Sequence, residues 1–325
     1  MSLKMKNYTD TLKWATDCLV FQGYTPQNSP EIVVQAPWSI VTRISTSTED
    51  VYLKQTPPLL FLEPKIMHLL MHLMQASVPI VIGSNDDLCC FLMKDAGLTL
   101  RSYLKSTFQP ELLGQAISQF TAAQRATENH LDSFFELGVP DWRLNQFPNL
   151  YQQLISQADF LKSEGLNGHE LQILHDLIPT LSKQCERISS YQIKETLVQP
   201  DFNTNNILLN TNTNKMTCID LGEIVIAHPF FSLHNFIIQA ARHHGVKKGS
   251  PIHQQLLQAC CKNWLNIAPK NQLLEVYSLV KEIWPIYCAF GFYRLMMSVD
   301  AKALKSYYTN NSLEGYLREY ITQNH

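Results

Sequence analysis

Three oxygen-bearing side chains, Asp201, Asn206 and Asp220, stand at spacings that suit metal-assisted phosphoryl chemistry. Asn206 opens the apolar run Asn206-Ile-Leu-Leu-Asn210, and Asp220 follows the run Lys215-Met-Thr-Cys-Ile219. Between them, Thr211-Asn-Thr-Asn214 is turn chemistry joining two strands, a lone hairpin in a helical region. The first residue of one antiparallel strand and the last of the next lie at the same end, so the spacing predicts Asn206 beside Asp220. Both offer the hard oxygen that magnesium prefers, with nucleotide phosphates and water to complete an octahedron. Asp201, on the loop entering the hairpin, is placed to accept a hydrogen bond from an attacking hydroxyl. Taken singly, each residue is better explained as a turn or cap. The combination carries the argument, since Asp201-x4-Asn206, a hairpin, then Asp220-Leu-Gly222 is much less likely to arise by chance.

The elements that must position these groups follow from periodicity. Short β-rich runs (Trp38 to Ser45, Val51 to Lys54, Ile80 to Gly83, Leu88 to Met93) surround one helical stretch near Ile66 to Gln75, which predicts a small sheet with one helix. Helical spacing dominates from Thr99 onward, over Glu111 to Glu136, Leu150 to Leu161, His169 to Ser189, His253 to Leu265 and Leu273 to Leu295. In Val51-Tyr-Leu-Lys54 the alternation puts Tyr52 and Lys54 on one face. Lys54 is there either a phosphate-binding charge or a solvent-facing edge lysine. Glu63 is the only acidic residue between Asp50 and Asp86, and Pro64 after it biases it towards the helix cap. Trp284, Tyr287, Gly291 and Arg294 share a helical face, a pattern that is more often core than binding wall. Arg242, His243 and His244 before Gly245 read as a solvated helix end.

Composition bounds the rest. The 325 residues carry a formal charge of −2, with 45% hydrophobic and 17% charged residues. That balance supplies no basic field for nucleic acid and no acidic field for a polycation. The eight cysteines lack any C-x-x-C spacing and read as reduced thiols of a cytoplasmic protein. The run Ile66 to Ile82, interrupted by His68, His72, Gln75 and Pro79, falls short of a membrane span. No nucleic-acid or membrane partner is expected, and the oligomeric state is left open.

Gln199-Pro-Asp-Phe-Asn-Thr-Asn-Asn-Ile-Leu208 resembles the H-G-D-x-H-x-x-N-I-L loop of aminoglycoside phosphotransferases and choline kinases. Ile219-Asp-Leu-Gly-Glu223 resembles their metal segment, and His228-Pro-Phe-Phe-Ser-Leu233, Gly138-Val-Pro-Asp-Trp-Arg143 and Pro37-Trp-Ser39 are similar to a poorly characterised bacterial branch of that family. The resemblance implies an α+β, protein-kinase-like two-lobed fold. A small β-rich N-lobe over residues 1–95 would bind nucleotide, and a larger, mainly helical C-lobe over 96–325 would carry the hairpin. It implies transfer of the γ-phosphate of ATP, with Mg2+, to a hydroxyl of a small-molecule substrate. Asp201 would be the catalytic base or a carboxylate that orients the hydroxyl, Asn206 and Asp220 the metal ligands, and Glu223 a group near the metal or the substrate. Lys54 would bind phosphate with Glu63 as its partner, its cap role remaining open beside this. Backbone groups of Met93 to Asp95 would meet adenine. Gln199 and Asn203 stand where the family has histidines, so amides must brace the loop. No glycine occurs between Gly23 and Gly83, and Trp38-Ser-Ile-Val-Thr-Arg43 takes the place of the glycine-rich lid. These departures keep a second reading open, a pseudokinase or nucleotide-binding module without efficient transfer. The C-terminal helices show no carboxylate cluster for a polycation, so aminoglycosides are one candidate among amino alcohols, sugars and other metabolites.

Overall fold

The alternating runs between Pro37 and Lys94, joined by a strand just before them, form a five-stranded antiparallel sheet. Its strands are β1 (Glu31–Ala36), β2 (Ser39–Ser45), β3 (Asp50–Gln55), β4 (Val81–Asn85) and β5 (Cys90–Lys94), in the order β1-β2-β3-β5-β4. The computed structural model describes residues 5–74, 77–308 and 312–325. Helix α1 (Tyr8–Phe21), capped by the Asn7 side chain on the Thr9 amide, buries Ala15 and Leu19 against Ile44, Val51, Leu53, Cys90 and Leu92 of the sheet. Neither α1 nor β1 stands out in the sequence. All of β1 but Ala36 is exposed, so its side chains carry no inside-outside alternation to read. Helix α2 (Glu63–Met74) buries Ile66, Met67 and Leu70.

By packing, the chain forms two units. The first holds Met1–Thr99, Ile207–Glu223 and Arg294–Thr309, and the second holds Leu100–Asn206, Ile224–Tyr293 and Asn310–His325. The expected hairpin is present as β8 (Ile207–Asn210) and β9 (Lys215–Cys218), pairing Ile207 with Cys218 and Asn210 with Lys215. It is not alone: β6 (Leu98–Thr99) adds to β8 as a third strand. Gly97 permits this pairing, because at φ +116° a side chain there would collide with the Leu209 carbonyl.

The second unit is mainly helical. Its helices are α3 (Leu100–Ser106), α4 (Pro110–Thr127), α5 (Leu131–Glu136), α6 (Phe147–Ile155), α7 (Ala158–Ser163), α8 (Gly168–Asp176), α9 (Ile178–Ser189), α10 (Phe230–His244), α11 (Pro251–Lys262) and α14 (Leu313–Asn324). Helix α12 (Lys270–Ser298) contains Pro285, and α13 (Ala301–Tyr307) lies in the first unit. Two long periodic runs are broken where the sequence suggests continuity. Glu111 to Glu136 divides at His130, and His169 to Ser189 divides where Pro179, lacking an amide proton, starts α9. Strands β7 (Thr196–Val198) and β10 (Val225–Ala227) pair antiparallel on either side of the hairpin in sequence. All eight cysteines are free thiols, and among the described residues no helix is long and apolar enough to cross a membrane.

Candidate active site

In the first unit, Lys54 is the centre of a charge cluster drawn from distant parts of the chain. Strand β3 turns its side chain inward, where only 6% of it is exposed. Its Nζ lies 2.5 Å from Glu63 Oε2 and 2.5 Å from Asp220 Oδ1. Burial alone would lower the ammonium pKa, but the carboxylates of Asp220 and Glu63 outweigh it and raise the pKa, so the lysine stays charged. The edge-lysine alternative is thereby removed. Glu63 opens α2 and uses its second oxygen to accept the Leu221 amide at 2.9 Å.

The loop carrying Asp220 is held in an uncommon conformation. Asp220 itself adopts φ +63°, a left-handed geometry that aspartate tolerates better than most residues. Beyond it, a side chain at Gly222 would approach the Leu60 carbonyl to 2.8 Å, so the loop packs against the backbone of the short Pro58–Leu60 turn. Arg294 closes the far side, donating to the Glu223 carbonyl at 2.9 Å and the Gly222 carbonyl at 3.4 Å. Arg294 thus braces the Asp220 loop, a role its place at the end of an aromatic helical face does not announce. The rest of that stripe is core: Tyr287 is 2% exposed and stacks on Phe231 at 4.1 Å.

In the second unit, the loop Gln199 to Asn206 is braced chiefly by amides and one hydroxyl. Asn206 Nδ2 donates to Asp201 Oδ2 at 2.9 Å, and Asn203 Nδ2 donates to Asp201 Oδ1 at 2.8 Å. The orientation of the Asn203 amide is fixed in turn. Its oxygen accepts from Arg101 Nη2 at 2.8 Å and from the Asn205 amide at 2.7 Å. Ser232 on α10 anchors the loop from behind, accepting the Gln199 amide and donating to the Gln199 carbonyl. Asp201 is exposed, while Asn203 and Asn206 are buried. Arg101 and Ser232 escape a reading based on loop motifs, because their partners are backbone or lie far away in sequence.

Met93 and Asp95 lie at the end of β5, away from the charge cluster in the register: Lys54 pairs with Phe91, and Met93 with Tyr52. The Lys94 and Asp95 amides already donate to the Ile80 and Asp50 carbonyls, and Asp95 Oδ1 accepts the Gly97 amide. Trp38, at the β1–β2 turn, stacks on Tyr308 with centroids 5.4 Å apart and meets Tyr307 edge-on at 4.9 Å. Aromatic packing from the end of α13 thus secures this turn.

No family model matches the sequence, and no curated protein does. Solved structures do match. APH(2")-IIa in its gentamicin complex is 15% identical, covering 97% of this chain and 96% of that one with a TM-score of 0.63. Its streptomycin and ATP ternary complex is 14% identical, covering 96% and 99% at 0.55. The Plasmodium vivax ethanolamine kinase is 14% identical, covering 90% of this chain and 81% of its own at 0.60. A macrolide 2'-phosphotransferase type I is 14% identical, covering 99% and 98% at 0.51. At these identities the likeness is one of fold. The chain has the α+β, protein-kinase-like fold shared by small-molecule phosphotransferases, with a β-rich unit and a larger helical one.

Proposed function

We propose that the chain is an ATP-dependent phosphotransferase that moves the γ-phosphate to a hydroxyl of a small molecule. The observation that carries this reading is the buried Lys54 held between Glu63 and Asp220. A single positive charge between two carboxylates leaves a net negative site on hard oxygens, the chemistry that suits a magnesium ion bearing nucleotide phosphates. Among the described residues no three His, Cys, Asp or Glu side chains gather. A magnesium taking one or two protein oxygens requires no such group.

In this reading residues 1–95 serve the nucleotide and 96–325 the acceptor and catalytic loop. Lys54, positioned by Glu63, contacts phosphate, and the segment Met93 to Asp95 meets adenine. Asp220 and Asn206 are the magnesium ligands; the ion would offset phosphate charge when bound. Asp201 accepts the hydrogen bond of the acceptor hydroxyl and takes its proton. The Asn203 and Asn206 amides hold its two oxygens in place. Structural neighbours seen with ATP, and neighbours that phosphorylate small molecules by name, support the same class of reaction.

The test separates transfer from nucleotide binding alone. Saturating MgATP at a hundredfold excess over Kd stabilises a binding protein by about 2.7 kcal/mol, and Lys54→Ala and Asp220→Ala should each remove most of that gain. Asp201→Asn should keep it and slow transfer, or the slow hydrolysis of ATP, by roughly 10² to 10⁴. Absence of any MgATP stabilisation in the wild type would sink the reading. Binding through Asp220 without turnover sensitive to Asp201 would mark a pseudokinase.

A further inference from the structure

No aspartate or glutamate occurs between Asp95 and Glu111, and none between Glu223 and Glu275, in a chain with 28 acidic residues. These two acid-free stretches meet in the second unit, where α3 packs on α10. Helix α3 brings Arg101 and Lys105; the last turn of α10 brings Arg242, His243 and His244, with Lys247 and Lys248 just beyond Gly245. The cluster touches the Asp201 loop at two consecutive residues. Arg101 donates to Asn203, and His244 Nε2 lies 2.9 Å from Thr204 Oγ1. Phe108, 46% exposed, stacks beside the His244 ring with centroids 6.3 Å apart.

A solvated helix end explains only part of this. Basic groups in the last turn of α10 complement its dipole, but α3 sets two further cations against them. The repulsion is felt: burial and then Arg101 lower the pKa of both imidazoles, with Lys105 adding to the effect on each and Arg242 on His243. The acidic group that Arg101 feels is Asp201. Arg101 Nε is buried with no hydrogen-bond partner among the described residues. Like charges gathered beside a reactive carboxylate are balanced when an anion binds among them.

We propose that this cluster anchors the acceptor, which is therefore an anionic hydroxyl compound bearing a phosphate or carboxylate. Its anion is held by Arg101, Lys105, Arg242 and the two imidazoles, and its hydroxyl is presented to Asp201. The assignment rests on the phosphotransferase reading of the Asp201 loop. In the transfer, the acceptor oxygen bonds the γ-phosphorus as the bond to the β,γ-bridging oxygen breaks. ADP leaves, and the hydroxyl proton passes to Asp201. The cluster opposes the polycations named in the aminoglycoside complexes.

Inorganic phosphate is the probe, titrated at constant ionic strength into the full-length protein while imidazole resonances are followed by NMR. His243→Gln and His244→Gln variants assign the two signals. Phosphate should shift both signals saturably, chloride should not, and Lys105→Met combined with Arg242→Met should weaken binding about tenfold or more. In a coupled assay of ADP release, glycerol 3-phosphate and glycerate should support more turnover than glycerol or ethanolamine. Shifts that follow ionic strength alone, or phosphate binding unchanged in the double variant, overturn the proposal. So does binding to phosphatidylglycerol vesicles without binding of free phosphate, which would make the cluster a lipid contact. MgATP stabilisation without a phosphate-specific shift overturns the acceptor assignment and leaves the phosphotransferase reading standing. Phosphate binding in a protein with no nucleotide binding sinks that reading and the acceptor role with it.

Discussion

Replacing Glu63 by glutamine removes one charge from the cluster and turns one of its two acceptor oxygens into a donor. The Glu63 side chain is 2% exposed and that of Lys54 is 6% exposed, so the pair is fully desolvated. Breaking such a pair costs about 3 to 5 kcal/mol when the surviving charge is stranded. Lys54 is not stranded here, since the 36% exposed Asp220 side chain remains 2.5 Å away. The expected cost of Glu63→Gln therefore falls below that range, at about 2 kcal/mol. Glutamine keeps an oxygen on the Leu221 amide by turning its NH2 towards Lys54, which then relies on Asp220, whereas Glu63→Ala orphans the Leu221 donor and should cost a further 1 to 3 kcal/mol or so. Urea denaturation of the two variants gives both differences, and hydrogen exchange over residues 215–224 shows whether only alanine loosens the Asp220 loop. A cycle with Lys54→Met isolates the charge pairing. The double variant Lys54→Met, Glu63→Gln should be more stable than the sum of its parts by about 1 kcal/mol or more, within the range measured for residues in contact. Additivity within about 0.5 kcal/mol, or an alanine variant as stable as the glutamine one, would refute the reasoning.

Further outcomes follow from the same geometry. Gly222→Ala forces a Cβ to 2.8 Å from the Leu60 carbonyl, so it should cost about 1 to 3 kcal/mol in urea and weaken MgATP binding. Arg101→Met frees the Asn203 amide to rotate away from Asp201. It should lower kcat roughly 10- to 100-fold at unchanged KM for MgATP, and a rise in that KM alone would contradict its positioning role. His228 is fully buried, and desolvation holds its pKa down to about 3, against about 6.5 in the unfolded chain. Its contribution to stability is thus complete above the unfolded value and is lost as pH falls from about 6.5 towards 3, at up to about 1.4 kcal/mol per pH unit. His234, lowered to about 4 by burial and Lys281, adds to the same trend. The urea midpoint should fall between pH 7 and pH 5, less steeply in His228→Phe, and equal slopes would exclude His228 as a source.

The sequence was most legible where function constrains short motifs. The runs around Ser39–Ser45, Asp50–Gln55 and Cys90–Lys94 alternate because one sheet face is buried under α1, and the turn at Thr211 to Asn214 announces its hairpin. Lys54 with Glu63 was open to two readings, because spacing along a strand cannot say whether a lysine finds carboxylates 9 and 166 residues away. Arg294 and Arg101 were harder still. Each acts by donating to a carbonyl or amide oxygen, groups that every residue or many asparagines provide, so no residue type marks their targets. The aromatic face Trp284, Tyr287 reads as core more readily than as a binding wall, and the structure agrees, with Tyr287 stacked on Phe231 and edge-on to Trp142.

The unit that holds Lys54 is assembled from three separated stretches of chain. During synthesis its sheet emerges first, yet the Asp220 partner of Lys54 follows 166 residues later. At about 5 to 20 residues per second that interval is roughly 10 to 30 seconds. Throughout it, a lysine destined for the interior has only Glu63 as a nearby counter-charge, and β6 lacks β8. The helix end bearing Arg294 arrives later again. The sheet can pair early, but its buried charge cluster is completed only after Asp220, and the brace from Arg294 only after nearly the whole polypeptide, has been translated.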